Sequence, residues 1–73
     1  MPYSTNTDLP DSVRDHLPEH AQDIYRAAFN NAYASYAGQA ERERRAHMTA
    51  WAAVKRTYYK RGDQWIPRLA AAS

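Results

Sequence analysis

The chain has no cysteine, two glycines and no long apolar run, and each shortage removes a class of function. Without cysteine there is no disulfide framework and no thiolate zinc site, which suits a reducing cytoplasm, the expected location. Gly38 and Gly62 both read as helix stops, so no glycine-rich loop is left to cradle a nucleotide's phosphates. The longest apolar run, Ala50 to Val54, is far short of the roughly 20 residues that span a bilayer. The opening MPYSTNTD has no positive charge followed by an apolar stretch, so no signal peptide is expected. No serine triad and no paired-carboxylate cleft is visible. The expectation is a non-enzymatic protein with no cofactor.

What is present fits one small domain. The sequence is 73 residues long, and a chain of this size buries only about 60% of its unfolded surface. The net charge of +2 hides a segregation: Met1 to Gly38 carries −3 and Gln39 to Ser73 carries +5. An acidic half works against non-specific binding to nucleic acid, and a basic half works for it.

Two Leu-Pro pairs, Leu9-Pro10 and Leu17-Pro18, divide the N-terminal half. Proline suits the first turn of a helix and breaks its interior. A short first helix is expected with Asp8 as N-cap and Pro10 in its first turn, apolar along Leu9, Val13 and Leu17, ending at about His16. A second helix starts at Pro18 or Glu19 and runs to Gly38. Its core face carries Ala21, Ile24, Tyr25, Ala28, Phe29, Ala32 and Tyr36, with Asp23, Arg26 and Asn30 facing away. A third helix is expected from about Ala40 to Lys60. Its apolar side carries His47, Ala50, Trp51, Val54 and Tyr58, and its opposite side Arg45, Arg56 and Lys60. The segment QWIPR, Gln64 to Arg68, reads as extended and could pair with Pro2 to Thr5. The fold class is therefore mainly α: one short and two long helices, with room for a two-stranded antiparallel sheet joining the N- and C-terminal segments. Residues 1–68 form the domain, and Leu69 to Ser73 reads as a frayed tail. The expected core is Leu9, Val13, Leu17, Ile24, Tyr25, Ala28, Phe29, Ala32, Ala50, Trp51, Val54 and Tyr58.

Three groups of residues invite a chemical reading. His16-Leu17-Pro18-Glu19-His20 matches the H-x-x-E-H pattern of one metallopeptidase class, but that chemistry needs both histidines on one continuous helix, and Pro18 interrupts it. No metal site is expected. His47 sits alone on an apolar face, which points to a satisfied, half-buried histidine rather than a catalytic one. Most aromatics fall at helical core spacing; Tyr33 and Tyr59 fall off those stripes and are better placed for surface contact. The basic residues Arg45, Arg56 and Lys60 could meet phosphates or an acidic protein surface, or simply be solvated. With Asp23, Arg26 and Asn30 they form the candidate partner-binding set.

The assembled pieces, MPY, the two Leu-Pro pairs, HAQDIYRAAFNNAY and AWAAVKRTYYK, resemble the ChaB family of small bacterial proteins, over about Met1 to Trp65. Two segments depart from enteric members. The connection from Gly38 to Arg45 is short and arginine-rich where theirs is longer and acidic, and QWIPRLAAAS replaces their lysine-rich end. The resemblance implies a compact helical domain with a small two-stranded sheet, and a regulator of a cation/proton antiporter; it carries no catalytic residues over to this chain. The functional expectation is a binding module that docks on a protein partner, such as the cytoplasmic face of a cation antiporter. The alternative is a nucleic-acid-associated accessory protein that uses the basic third helix.

Overall fold

A computed structural model describes residues 3–68. Along the chain a 3-10 turn, Asn6–Asp8, is followed by α1 (Asp11–Arg14), α2 (Glu19–Ser35), α3 (Arg42–Thr57), β1 (Tyr58–Arg61) and β2 (Gln64–Pro67). The two long helices form an antiparallel pair, with α1 and the N-terminal segment against α2.

The Leu-Pro pairs act as punctuation. Pro10 and Pro18 are the N-cap residues of α1 and α2, each with an extended ψ that turns the chain before the helix begins. Asp8 is not the cap of α1. It closes the 3-10 turn, and its carboxylate accepts from the Thr5 amide and hydroxyl, both at 3.3 Å. An aspartate followed by Leu-Pro cannot cap across the extended Leu9, so it serves the turn before it. The corner between α1 and α2 is tied by Gln22, whose amide donates to the Leu17 carbonyl at 2.8 Å.

Alanine at helical spacing lets α2 and α3 approach closely. Ala21 and Ala32 on α2, and Ala46 and Ala50 on α3, are buried. Tyr25, Phe29 and Val54 are the largest fully buried side chains and fill the space between. Leu9, Val13 and Leu17 cover one side of this core and Tyr58 another. Ile24, Ala28 and Trp51, expected inside, are only partly buried and pack on the core's margin. Gly38 sits at φ +83 in the connection between the long helices, a conformation that a side chain resists. Arg42 closes the C-terminal end of α2. Its Nε donates to the Tyr33 carbonyl at 2.6 Å, and its guanidinium lies 3.7 Å from the Tyr33 ring centroid. A cation there also suits the negative end of the helix dipole.

The sheet is antiparallel and two-stranded, but its partners differ from the expected ones. β2 pairs with β1, with Tyr58 opposite Pro67 and Lys60 opposite Trp65, and not with the N-terminal segment. Consequently α3 ends at Thr57, and Lys60 lies on a strand. Thr57, Tyr58 and Tyr59 are β-branched or aromatic, and such residues favour the pleated ribbon once a partner strand is present. Gly62 is not a helix stop. With Asp63 it forms the two-residue loop of the hairpin, at φ +62 in the first central position, the pattern of a type II′ turn. The N-terminal segment instead runs against α2. Leu69 to Ser73, expected to fray, and Pro2 of the expected strand lie outside the described residues.

Candidate functional site

The first half of the candidate set, Asp23, Arg26 and Asn30, lines the flank of α2. Four-residue and three-residue steps put them on one face, and that face meets the N-terminal segment. Asn30 accepts from the Tyr3 amide at 2.8 Å and donates to the Tyr3 carbonyl at 2.9 Å. Arg26 donates to the Asn6 side chain at 2.7 Å and to the Ser4 carbonyl at 3.2 Å. Asp23 accepts from Asn6 at 2.6 Å and lies 3.9 Å from the Arg26 guanidinium. The Tyr3 ring then rests on Phe29, 4.7 Å between centroids. These three side chains thus bind the chain's own first residues.

The second half is different. Arg45 and Arg56 are exposed on α3, eleven residues and about three turns apart, so they share a face. Lys60 is exposed on β1. It lies past the end of the helix, not along it. Arg14, Arg26 and Arg44 are paired with acids, Arg42 with a carbonyl, and Arg68 donates to the Lys55 carbonyl at 3.0 Å. Among the described residues, Arg45, Lys55, Arg56, Lys60 and Arg61 have no ion pair and no side-chain hydrogen bond. Arg45 lies 5.9 Å from the Tyr36 ring centroid. The unpaired positive charge is therefore gathered at Arg45 and between Lys55 and Arg61.

The two tyrosines expected at the surface are each covered by a cation. Tyr33 stacks on Phe29 and lies beneath Arg42, and Tyr59 has the Arg68 guanidinium 5.6 Å from its centroid. The histidines are engaged locally. His16 donates from Nδ1 to the Ser12 carbonyl at 2.7 Å, and His20 Nδ1 shares a hydrogen bond of 3.1 Å with the Tyr58 hydroxyl. His47 Nδ1 meets the Tyr25 hydroxyl. Among the described residues no group of three His, Cys, Asp or Glu is placed to hold a metal ion.

One arrangement escaped the sequence reading. Trp51, assigned to the core, is half-buried and meets Trp65 from the hairpin, 5.6 Å between ring centroids with the planes at 32°. The pair floors an open groove of about 580 Å³ whose lining includes Lys55, Lys60, Ser12 and His16. The signal was available in two spacings. Trp51 and Lys55 are one turn apart on α3, and Lys60 and Trp65 face each other across a loop that starts with glycine. Recognising it required the hairpin.

Comparison with known proteins agrees with this architecture. The ChaB family model matches residues 9–68. The "Putative cation transport regulator ChaB" of Escherichia coli strain K12 is 52% identical over 69 residues, which cover 86% of this chain and 91% of that protein. The protein of the same name in Shigella flexneri has the same identity and coverage. An NMR solution structure of the putative cation transport regulator ChaB superposes with a TM-score of 0.80 at 49% sequence identity, covering 90% of this chain and 97% of that one. A family match across the helices and the hairpin, together with relatives of this identity and a shared fold, places the chain in the ChaB family.

Proposed function

We propose that the chain is a regulatory binding protein of cation transport, working in the cytoplasm by contact with a protein partner. The observation that supports it is that Arg45, Arg56 and Lys60 have, among the described residues, no ion pair and no side-chain hydrogen bond, on a scaffold that engages Arg14, Arg26, Arg42 and Arg44 internally. The family name supplies the biological setting, since the relatives are named as regulators of cation transport. An acidic surface on the cytoplasmic side of a cation antiporter is the proposed docking partner. The action would be population shift. By binding one conformation of its partner more tightly, the protein raises that conformation's share, up to the limit set by the affinity difference. No side chain need do chemistry for this. Asp23, Arg26 and Asn30, engaged with the N-terminal segment, are left out of the proposed docking surface.

A tagged pull-down from host membranes in mild detergent, with and without nuclease, tests the proposal. Enrichment of a cation transporter that survives nuclease, and is lost when Arg45, Arg56 and Lys60 are all replaced by alanine, is the expected result. Enrichment confined to nucleic-acid-bound proteins that nuclease removes would overturn it.

A further inference from the structure

The paired tryptophans carry a second, more specific reading. A tryptophan at the centre of a core is covered on every side. Trp51 and Trp65 instead lie side by side at the bottom of an open groove, half-exposed, with an unpaired lysine beside each. Helical and cross-strand geometry fix Lys55 beside Trp51 and Lys60 beside Trp65, so the four-residue set is held by elements rather than by loops. Past His16 and Trp65 the groove continues into a second hollow of about 360 Å³ that is lined by Asp15 and Asp63. The trough therefore changes sign along its length: cationic at Lys55 and Lys60, acidic at Asp15 and Asp63.

That change of sign selects the occupant. A nucleic-acid strand is negative throughout and would meet the two aspartates at one end. A peptide can carry carboxylates on one side of an apolar residue and none on the other. Aromatic rings in an otherwise polar groove are where binding energy concentrates at protein interfaces, and the flanking charges orient the ligand. His16 adds a fixed acceptor. Its Nδ1 donates to the Ser12 carbonyl, so in the neutral ring Nε2 is left to accept an N–H.

We infer that the groove floored by Trp51 and Trp65 and flanked by Lys55 and Lys60 binds an extended acidic peptide segment, with one aromatic or large apolar side chain against the indoles and its carboxylates on the two lysines. This deepens the proposed function, since Lys60 belongs both to the proposed docking set and to the groove, and it rests on that reading's premise that the partner is a protein.

The chain's two tryptophans are both in the groove, so intrinsic fluorescence reports on it directly. The full chain is titrated with the capped peptide Gly-Glu-Glu-Phe-Gly-Gly, with its charge-inverted counterpart Gly-Lys-Lys-Phe-Gly-Gly, and with a fifteen-nucleotide oligothymidylate. A saturable change with the acidic peptide, at least tenfold weaker binding of the lysine peptide, and about a tenfold loss for the Lys55→Ala/Lys60→Ala variant are expected. Both lysines are exposed, and an unchanged circular dichroism spectrum confirms that the variant is folded. Equal binding of the two peptides, an unaffected double variant, or tighter binding of the oligothymidylate than of the acidic peptide would each overturn the inference. A parallel Arg45→Ala/Arg56→Ala variant, which leaves the groove intact, keeps the two readings apart. If the acidic peptide does not bind while this variant loses the transporter in the pull-down, the groove inference fails and the docking proposal stands. If the peptide binds and no transporter is captured, the reverse holds.

Discussion

Inside the core the Tyr25 hydroxyl and Nδ1 of His47 share a hydrogen bond, joining α2 to α3. Burial pushes the Tyr25 phenol well above its ordinary value, so it stays protonated, and burial lowers the His47 pKa while Glu43 opposes that shift. A histidine that is harder to protonate when folded favours the native state only while it is neutral. Its contribution is complete above the unfolded value of about 6.5 and is lost as pH falls through and below it. The urea midpoint should therefore drop between pH 7.5 and pH 5, and a His47→Phe variant should show a shallower drop. An identical slope in the variant would assign the acid sensitivity elsewhere. Removing the phenol oxygen tests the same bond from the other side. Tyr25→Phe leaves the Nδ1 of a half-buried imidazole without its partner and should cost about 1–3 kcal/mol in urea unfolding.

At the scale of elements, the two prolines and the three- and four-residue apolar spacing made α1, α2 and most of α3 legible, because helix periodicity is local. The end of α3 was not. Lys55 to Lys60 keeps the helical spacing of Val54 and Tyr58, and the choice between another helical turn and a strand was made by Gln64 to Pro67, which pairs back across Gly62 and Asp63. The same non-local event created the indole groove, which is why Arg45 and Arg56 could be singled out from spacing while Trp51 was assigned to the core. The N-terminal segment was misplaced for a related reason: its extended backbone finds partners in Asn30 and Arg26 rather than in a strand. Two substitutions test these assignments. Asn30→Ala removes both bonds to the Tyr3 backbone, and the Tyr3 amide should then exchange with solvent markedly faster by NMR, with a loss of about 1 kcal/mol in overall stability. Gly62→Ala places a side chain at φ +62, where space is open but the backbone is strained, and should cost about 1–2 kcal/mol in thermal or urea unfolding.

For the whole molecule, the charge segregation along the chain becomes a division of labour in space. The acids Asp11, Asp23 and Glu41 are held by arginines three residues away, all in exposed or half-exposed pairs, while among the described residues the cations without a partner collect on α3 and β1. Exposed pairs of this kind contribute little and are weakened by salt, as is the favourable placement of Lys55 and Arg56 near the C-terminal end of α3. The core of tyrosine, phenylalanine, alanine and valine does not depend on salt in this way. Folding and docking should therefore respond differently to ionic strength. Raising salt from 50 to 500 mM shortens the screening length from roughly 14 Å to roughly 4 Å, and it should change the unfolding free energy by no more than about 1 kcal/mol. Over the same range, association with an acidic partner through Arg45, Arg56 and Lys60 should weaken at least tenfold, chiefly by slower encounter. Urea titrations and binding rates measured at the two salt concentrations decide the point. A partner whose affinity survives 500 mM salt would have to bind elsewhere, and the apolar floor of the indole groove is then the surface left to hold it.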